Sequence, residues 1–193
     1  MTPLETLIKE LKIIADLQGA SSLLQWDQET YMPEGGGASR ADQIALLDSL
    51  RHERLVGPVV RGALGELVDL ESGQPDAQLT AEQERLVREI WSNYHRAAAL
   101  PKEFVEEYSQ TTSMAQQVWA QARKANDFGK FQPFLEKIVD LKFREIDYLG
   151  VKTTPYDTLL DYFEPGMTSA EVTRLFEAVK VRLVPLVRKI AES

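Results

Sequence analysis

The two histidines are the residues most able to hold a metal ion, and their setting does not complete a site. His52 and Glu53 match the first half of the zinc motif His-Glu-x-x-His, but Val56 occupies the place of the second histidine. The motif needs two imidazoles one helical turn apart, so that both face the same ion. His95 lies on a different predicted helix. A site built from both histidines and carboxylates is conceivable, but two surface or half-buried histidines are the more ordinary arrangement. We therefore assign no metal ligand and no catalytic residue here.

A second group of polar residues lies in the segment LLQWDQETYMPEGGGASRADQ, residues 23–43. Asp27 and Glu29 are close enough in sequence to form an acid/base pair. Such a pair needs burial that keeps one carboxyl group protonated, which a sequence does not reveal. Carboxylates beside a helix end more often cap backbone N–H groups, and capping is the interpretation we favour.

Consecutive glycines and an acidic aromatic segment are the other polar features. EGGGASR, residues 34–40, precedes a predicted helix and could hold an anion on its backbone amides. No strand leads into it and no Gly-Lys-Ser/Thr follows, so the glycines more simply allow a sharp turn or a close approach to another segment. PYDTLLDYFEP, residues 155–165, places acids among aromatic residues, which is typical of helix capping and core packing.

Helical periodicity covers nearly the whole chain and predicts an all-α fold. Capping boxes, in which Thr is followed three residues later by Glu or Gln, open helices at TPLE (2–5), TAEQ (80–83) and TSAE (168–171). We expect an elongated bundle of about seven or eight helices, with residues 1–193 forming a single helical domain. The first helix is predicted to end near Leu24. Trp91, Tyr94 and Trp119 are expected to lie in the core.

The last predicted helix carries a band of apolar residues wider than a surface helix requires. We call this band the apolar stripe; its members are Val172, Leu175, Phe176, Val179, Leu183, Leu186, Val187 and Ile190. An exposed stripe of this kind tends to find a partner, so we expect the free chain to self-associate, most simply as a two-fold homodimer with this helix in or near the contact.

Composition narrows the function classes. The net charge of −8 argues against binding of a phosphate backbone, so no nucleic-acid partner is expected. The chain has no cysteine, which excludes a disulfide framework and a thiolate nucleophile and fits a reducing compartment. The N-terminal MTPLETLIKELK is charged and amphipathic rather than a signal peptide, and no stretch is apolar enough to span a membrane.

Three segments together resemble the carboxypeptidase Taq family of zinc metallocarboxypeptidases. They are the segment 23–43, WAQARKANDFGKFQPFLEKIVDLK (119–142) and PYDTLLDYFEPGMT (155–168). Their order, spacing and helical setting are similar to the N-terminal part of such enzymes, and the resemblance extends over essentially all 193 residues.

The resemblance implies a helical, cytoplasmic, often homodimeric peptidase that removes C-terminal residues from peptides. It also implies a zinc ion held by His-Glu-x-x-His and a later Glu, with the Glu of the motif activating the zinc-bound water. Those residues belong to the family's C-terminal part and have no counterpart here, so we expect no cofactor in this chain and no activity of the chain alone. It would instead form the wall of a substrate groove.

Within that resemblance, residues 23–43 would be structural or would line the peptide groove. Trp26 would be a buried anchor, and Asp27 a cap or a partner for Arg40. The structural or groove-lining candidates are Trp26, Asp27, Glu29, Tyr31, Arg40, Tyr156 and Asp157. The alternative to a peptidase part is a stand-alone, non-catalytic helical binding or regulatory module derived from the same scaffold.

Overall fold

The computed structural model of the chain describes residues 1–76 and 78–192. Within these residues the fold is all-α, as predicted, and the only β pairing is an isolated bridge between Val68 and Pro75. The helices are α1 (Pro3–Thr30), α2 (Gly37–Leu55), α3 (Pro58–Gly65), α4 (Ala81–Ala99), α5 (Lys102–Ala125), α6 (Phe128–Leu149), α7 (Pro155–Leu160) and α8 (Ser169–Ala191), with a single 3₁₀ turn at Glu34–Gly36 before α2.

Local sequence signals fix most helix starts. The capping boxes at Thr2, Thr80 and Thr168 all form, each threonine hydroxyl accepting the N–H of the residue three positions later. The end of α1 differs from the prediction, because the helix continues past Leu24 to Thr30. Neither glycine nor proline interrupts the chain between Leu24 and Pro33, so the helix ends only where the proline approaches.

Residues Met1–Lys142 form one compact unit. Its apolar core joins the N-terminal half of α1 to α3, α4 and the segment that follows α3. The fully or nearly buried members are Leu7, Val60, Ala63, Leu64, Leu67, Val68, Val87, Ile90 and Tyr94. Trp91 packs against this cluster, as predicted for a core residue, whereas Trp119 on α5 is 40% exposed, contrary to the prediction.

A second interface in the same unit joins α2 to α1 and to α5, and small and polar residues line it. The buried residues there include Ser21, Ala41, Ser49, Ser109, Ser113 and Ala115. Small side chains let helices approach closely, and their hydroxyls must be hydrogen-bonded because they are removed from water. Asp48, Glu106 and Gln28 accept hydrogen bonds from these serine hydroxyls along the interface.

Residues Phe143–Ser193, described to residue 192, form the second compact unit. It contains the end of α6, the short α7 and α8, and α7 packs against α8. Asp157 and Thr158 of α7 are buried, whereas none of the residues of α8 is buried. None of the described helices combines the length and the apolar character needed to cross a membrane.

Candidate functional site

Arg40 of α2 fixes the C-terminal end of α1. Its Nη2 donates to Asp27 Oδ2 at 2.7 Å, and its Nη1 donates to the Leu24 carbonyl oxygen at 2.6 Å. Asp27 is therefore the partner of Arg40 rather than a helix cap, which settles the alternatives for this residue. Glu29, two residues further along, is exposed. Because Asp27 is held by the guanidinium, the Asp27–Glu29 acid/base pair is not assembled.

Trp26 and Tyr31 form an exposed aromatic pair at the same end of α1. Their ring centroids lie 5.4 Å apart in an edge-to-face arrangement. Trp26 is 54% exposed and Tyr31 75% exposed, so the prediction of a buried Trp26 anchor is wrong. The side of α1 that faces its neighbours is occupied by Ser21, Leu24 and Gln28, at helical spacing, and Trp26 points away from that side.

The glycines before α2 allow a close approach to α5. A Cβ added to Gly37 would overlap the side-chain amide of Gln117, whereas one added to Gly35 would meet open space. Nearby, Gln28 Nε2 donates to the Ser113 carbonyl oxygen at 3.1 Å, and Ser113 Oγ donates back to Gln28 Oε1 at 2.8 Å. Of the two structural roles predicted for these glycines, close approach applies at Gly37.

A network of carboxylates and serines, not predicted from the sequence, lies further along the same interface. Asp48 of α2 accepts from Ser21 Oγ of α1 at 3.2 Å and from Ser109 Oγ of α5 at 2.5 Å, so one carboxylate joins three helices. Ser49 Oγ donates to Glu106 Oε1 at 2.8 Å. Serines repeating four residues apart on one face of α5 were a readable signal, but only the packing shows which carboxylate they meet.

The histidines occupy structural positions. His52 is 7% exposed, and burial lowers the pKa of its imidazole below the ordinary value. A hydrogen bond to the backbone of Leu100 and the nearby Glu53 oppose that shift, while Arg51 adds to it. His95 stacks on Trp91, with ring centroids 5.0 Å apart, and Trp91 Nε1 donates to the Leu70 carbonyl oxygen at 2.9 Å.

In the second unit, Asp157 connects α7 to α8. Its Oδ1 accepts the backbone N–H of Ser169 at 2.6 Å, at the start of α8, and its own N–H donates to Thr154 Oγ1 at 3.1 Å. The hydrogen bond from Ser169 lowers the pKa of the Asp157 carboxyl, and burial opposes it. Its neighbour Tyr156 is 65% exposed. Asp157 thus acts as a cap for α8, while Tyr156 is available for contact.

These contacts define a helical scaffold held by polar bonds between helices, with exposed aromatic residues beside them. Comparison with known proteins shows which family has this scaffold. The family model of the carboxypeptidase Taq (M32) metallopeptidases matches residues 6–193, so the chain belongs to this family. The resemblance drawn from the sequence motifs is confirmed.

Individual relatives agree with this assignment. Thermostable carboxypeptidase 1 of Pyrococcus furiosus is 38% identical over 175 residues, which are 90% of this chain and 34% of that protein. Carboxypeptidase 1 of Bacillus subtilis is 31% identical over 183 residues, 95% of this chain and 36% of that protein. The crystal structure of the protein called BsuCP superimposes with a TM-score of 0.86 at 28% identity, over 99% of this chain and 37% of that one. The chain therefore spans about a third of the length of the relatives it matches.

The metal ion that the family description implies does not fit the described residues. Among residues 1–76 and 78–192 there is no group of three or more His, Asp or Glu side chains arranged to hold a metal ion. His52 is buried and bonded to a backbone group, and His95 is stacked on an indole. We therefore route no chemical step through a metal bound to these residues.

Proposed function

We propose that this chain is the N-terminal, non-catalytic part of an M32 metallocarboxypeptidase and supplies the helical scaffold and one wall of the peptide groove. The observation that carries the proposal is the family match over residues 6–193, combined with a span of only about a third of each relative. In this proposal the residues that hold zinc and activate water lie in the remainder of the fold, and the substrate is a peptide that loses its C-terminal residue.

Trp26 and Tyr31 are the residues we propose for contact with the peptide. Both are exposed, and their rings pack edge to face, so they offer a preformed apolar surface. Arg40 supports that surface from behind by holding the turns of α1 that carry it. Aromatic surfaces of this kind bind side chains without a large loss of conformational freedom, which suits a groove that accepts varied peptides. Tyr156 is a second candidate, and Glu29 lies in the same α1 turn as Trp26.

The free chain provides the first test. After dialysis it is expected to hold much less than one zinc ion per chain, and it should not trim the C-terminus of a peptide when zinc or cobalt is added. The expectation follows from two histidines, no cysteine and no ligand spacing that a zinc site requires. One tightly bound zinc per chain accompanied by turnover would overturn the proposal.

A chimera provides the positive test. The region of Bacillus subtilis carboxypeptidase 1 that this chain matches is replaced by residues 1–193, and C-terminal trimming is measured. We expect activity, and we expect Trp26→Ala and Tyr31→Ala to raise KM more than they lower kcat. Trp119→Ala is the matched control, because it removes another part-exposed tryptophan from a different helix. Equal effects of the three substitutions on KM would contradict the proposed contact of Trp26 and Tyr31 with the peptide.

Two further properties are proposals supported by the family resemblance. A cytoplasmic location fits a chain without cysteine, since such a chain gains nothing from an oxidising compartment. The homodimer expected for the free chain, and implied by the resemblance for the whole peptidase, stays a prediction, and mass measurement of the free chain and of the chimera at micromolar concentration would test it.

A further inference from the structure

The apolar stripe defined above runs the length of α8 and is exposed. Seven of its eight members are 47–66% exposed, and Val172 is half-buried. With about 100° between successive residues, the eight side chains fall within an arc of about 120° on one side of the helix. A contiguous exposed apolar patch of on the order of a few hundred Å² or more indicates contact with a partner. A stripe of eight large side chains reaches that size.

Within the described residues of the second unit, no other element covers this helix. None of the residues of α8 is buried. A helix of 23 residues with an apolar side normally gains most of its stability by packing that side against other elements. The α8 sequence therefore specifies an interface, and its partner has to be sought outside α8 and its neighbour α7.

The charge of α8 indicates the chemistry of the surface that packs on it. From Ala178 to Ala191 the helix carries only basic charges, although the whole chain has a net charge of −8. Lys180 is paired with Glu177 at 2.7 Å, whereas Arg182 and Lys189 flank the apolar stripe and Arg188 lies on the opposite side of the helix. A surface that packs on this half of α8 should be apolar at its centre and acidic at its rim. A second copy meets that requirement poorly along α8 itself, because it would bring its own basic half to the contact. The occupant proposed here therefore differs from the homodimer contact expected from the sequence.

We propose that the apolar stripe is the docking surface for the part of the M32 fold that this chain does not span. The BsuCP structure matches 99% of this chain, so it includes a counterpart of α8, and nearly two thirds of that structure lies outside the matched region. That remainder is the partner: an apolar helical or loop surface with an acidic rim, which seats on α8 and leaves the opposite side of the helix open. The inference rests on the proposed function, since it assigns this chain's role within the same fold.

Single cysteines report the accessibility of each side of α8, because the natural chain has none. Leu183→Cys places a thiol in the apolar stripe. Val181→Cys is the matched control, since Val181 is apolar, 75% exposed and nearly opposite Leu183 around the helix. Each variant is made in the free chain and in the Bacillus subtilis chimera. The rate of reaction with a soluble thiol reagent is then measured, with the chimera lacking either substitution as the blank.

In the free chain both thiols are expected to react rapidly. In the chimera the thiol of Leu183→Cys should react at least about tenfold more slowly than in the free chain, while the thiol of Val181→Cys keeps its rate. Equal rates in the chimera would overturn the proposal, as would a chimera that fails to fold by circular dichroism. Protection of Leu183→Cys in the free chain that increases with protein concentration would also overturn it, by identifying a second copy as the occupant.

The two proposals fail in different ways. An active chimera with a reactive Leu183→Cys thiol would contradict the docking surface and support the proposed function. A folded, inactive chimera with a protected thiol would contradict the proposed function and support the docking surface.

Discussion

Arg40 Nη2 lies 2.7 Å from Asp27 Oδ2 while Nη1 of the same guanidinium lies 2.6 Å from the Leu24 carbonyl oxygen. One side chain of α2 thus holds two positions that lie three residues apart near the end of α1, and this part of the chain carries Trp26 and Tyr31. The Arg40 side chain is 14% exposed, so the contact is partly shielded from water and salt. Arginine suits this position because its fixed, forked donors reach two acceptors at once.

We expect Asp27→Ala to lower the free energy of unfolding by about 1 kcal/mol, since a charge-assisted hydrogen bond of a partly exposed pair is lost. Arg40→Lys should cost at least as much, because one ammonium group does not reach both acceptors. Urea unfolding measures both. The matched control is Lys130→Met, which breaks the exposed Lys130–Asp127 pair and should change stability by less than about 0.5 kcal/mol. An unchanged midpoint for Asp27→Ala, with loss of peptide trimming in the chimera, would instead make Asp27 a functional residue.

Gly73 and Gly150 form a matched pair of left-handed glycines, with φ of +71° and +77°. A Cβ on Gly73 would lie 2.5 Å from Trp91 Cε3, whereas one on Gly150 would meet nothing within 4 Å. We expect Gly150→Ala to cost about 1–2 kcal/mol, the conformational penalty alone. Gly73→Ala should cost about 3 kcal/mol or more, because Trp91 must also move out of the core. Equal losses in urea unfolding would show that the indole adapts freely.

Features that depend on neighbouring residues, such as helix starts, were predicted from the sequence. Features that depend on the packing of distant segments, such as burial and partners between helices, were not. The capping boxes depend on residues three apart, and all formed. Tyr94 was correctly placed in the core but Trp119 was not, because helical spacing groups residues on a side without showing which side a neighbour covers. The buried anchor expected at Trp26 came from the family resemblance, which does not show the direction of a side chain either. Asp48 was missed for the same reason, since its partners Ser21 and Ser109 come from helices far apart in sequence.

His52 should make stability depend on pH as the pH falls below the ordinary pKa of a histidine, about 6.5. Burial lowers its pKa in the folded chain below the value of about 6.5 that applies when the chain is unfolded. The unfolded state therefore binds more protons than the folded state in the window below 6.5, and stability falls as the pH is lowered through it. Thermal unfolding at pH 7.5 and 5.5 should show a smaller difference for His52→Gln than for the natural chain. The idea fails if His52→Gln keeps the full difference of the natural chain.

Asp157 should hold the start of α8 in place. Its carboxylate accepts the Ser169 N–H, and that bond lowers its pKa, so its contribution is complete above the ordinary pKa of an aspartate, about 3.9, and is lost as the pH falls through the lowered value. At pH 7, Asp157→Ala removes the acceptor, and the backbone amides of the first turn of α8 should exchange with solvent faster. Asp157→Asn keeps one oxygen and should have an intermediate effect.

Glu164→Gln removes an exposed acidic charge from the same segment and should leave the exchange of Ser169 unchanged. If exchange at Ser169 is the same in Asp157→Ala as in the natural chain, the carboxylate does not cap α8. Measuring the same amides in the chimera separates two roles: a cap speeds up exchange in both proteins, whereas a groove residue alters peptide trimming in the chimera without changing exchange in the free chain.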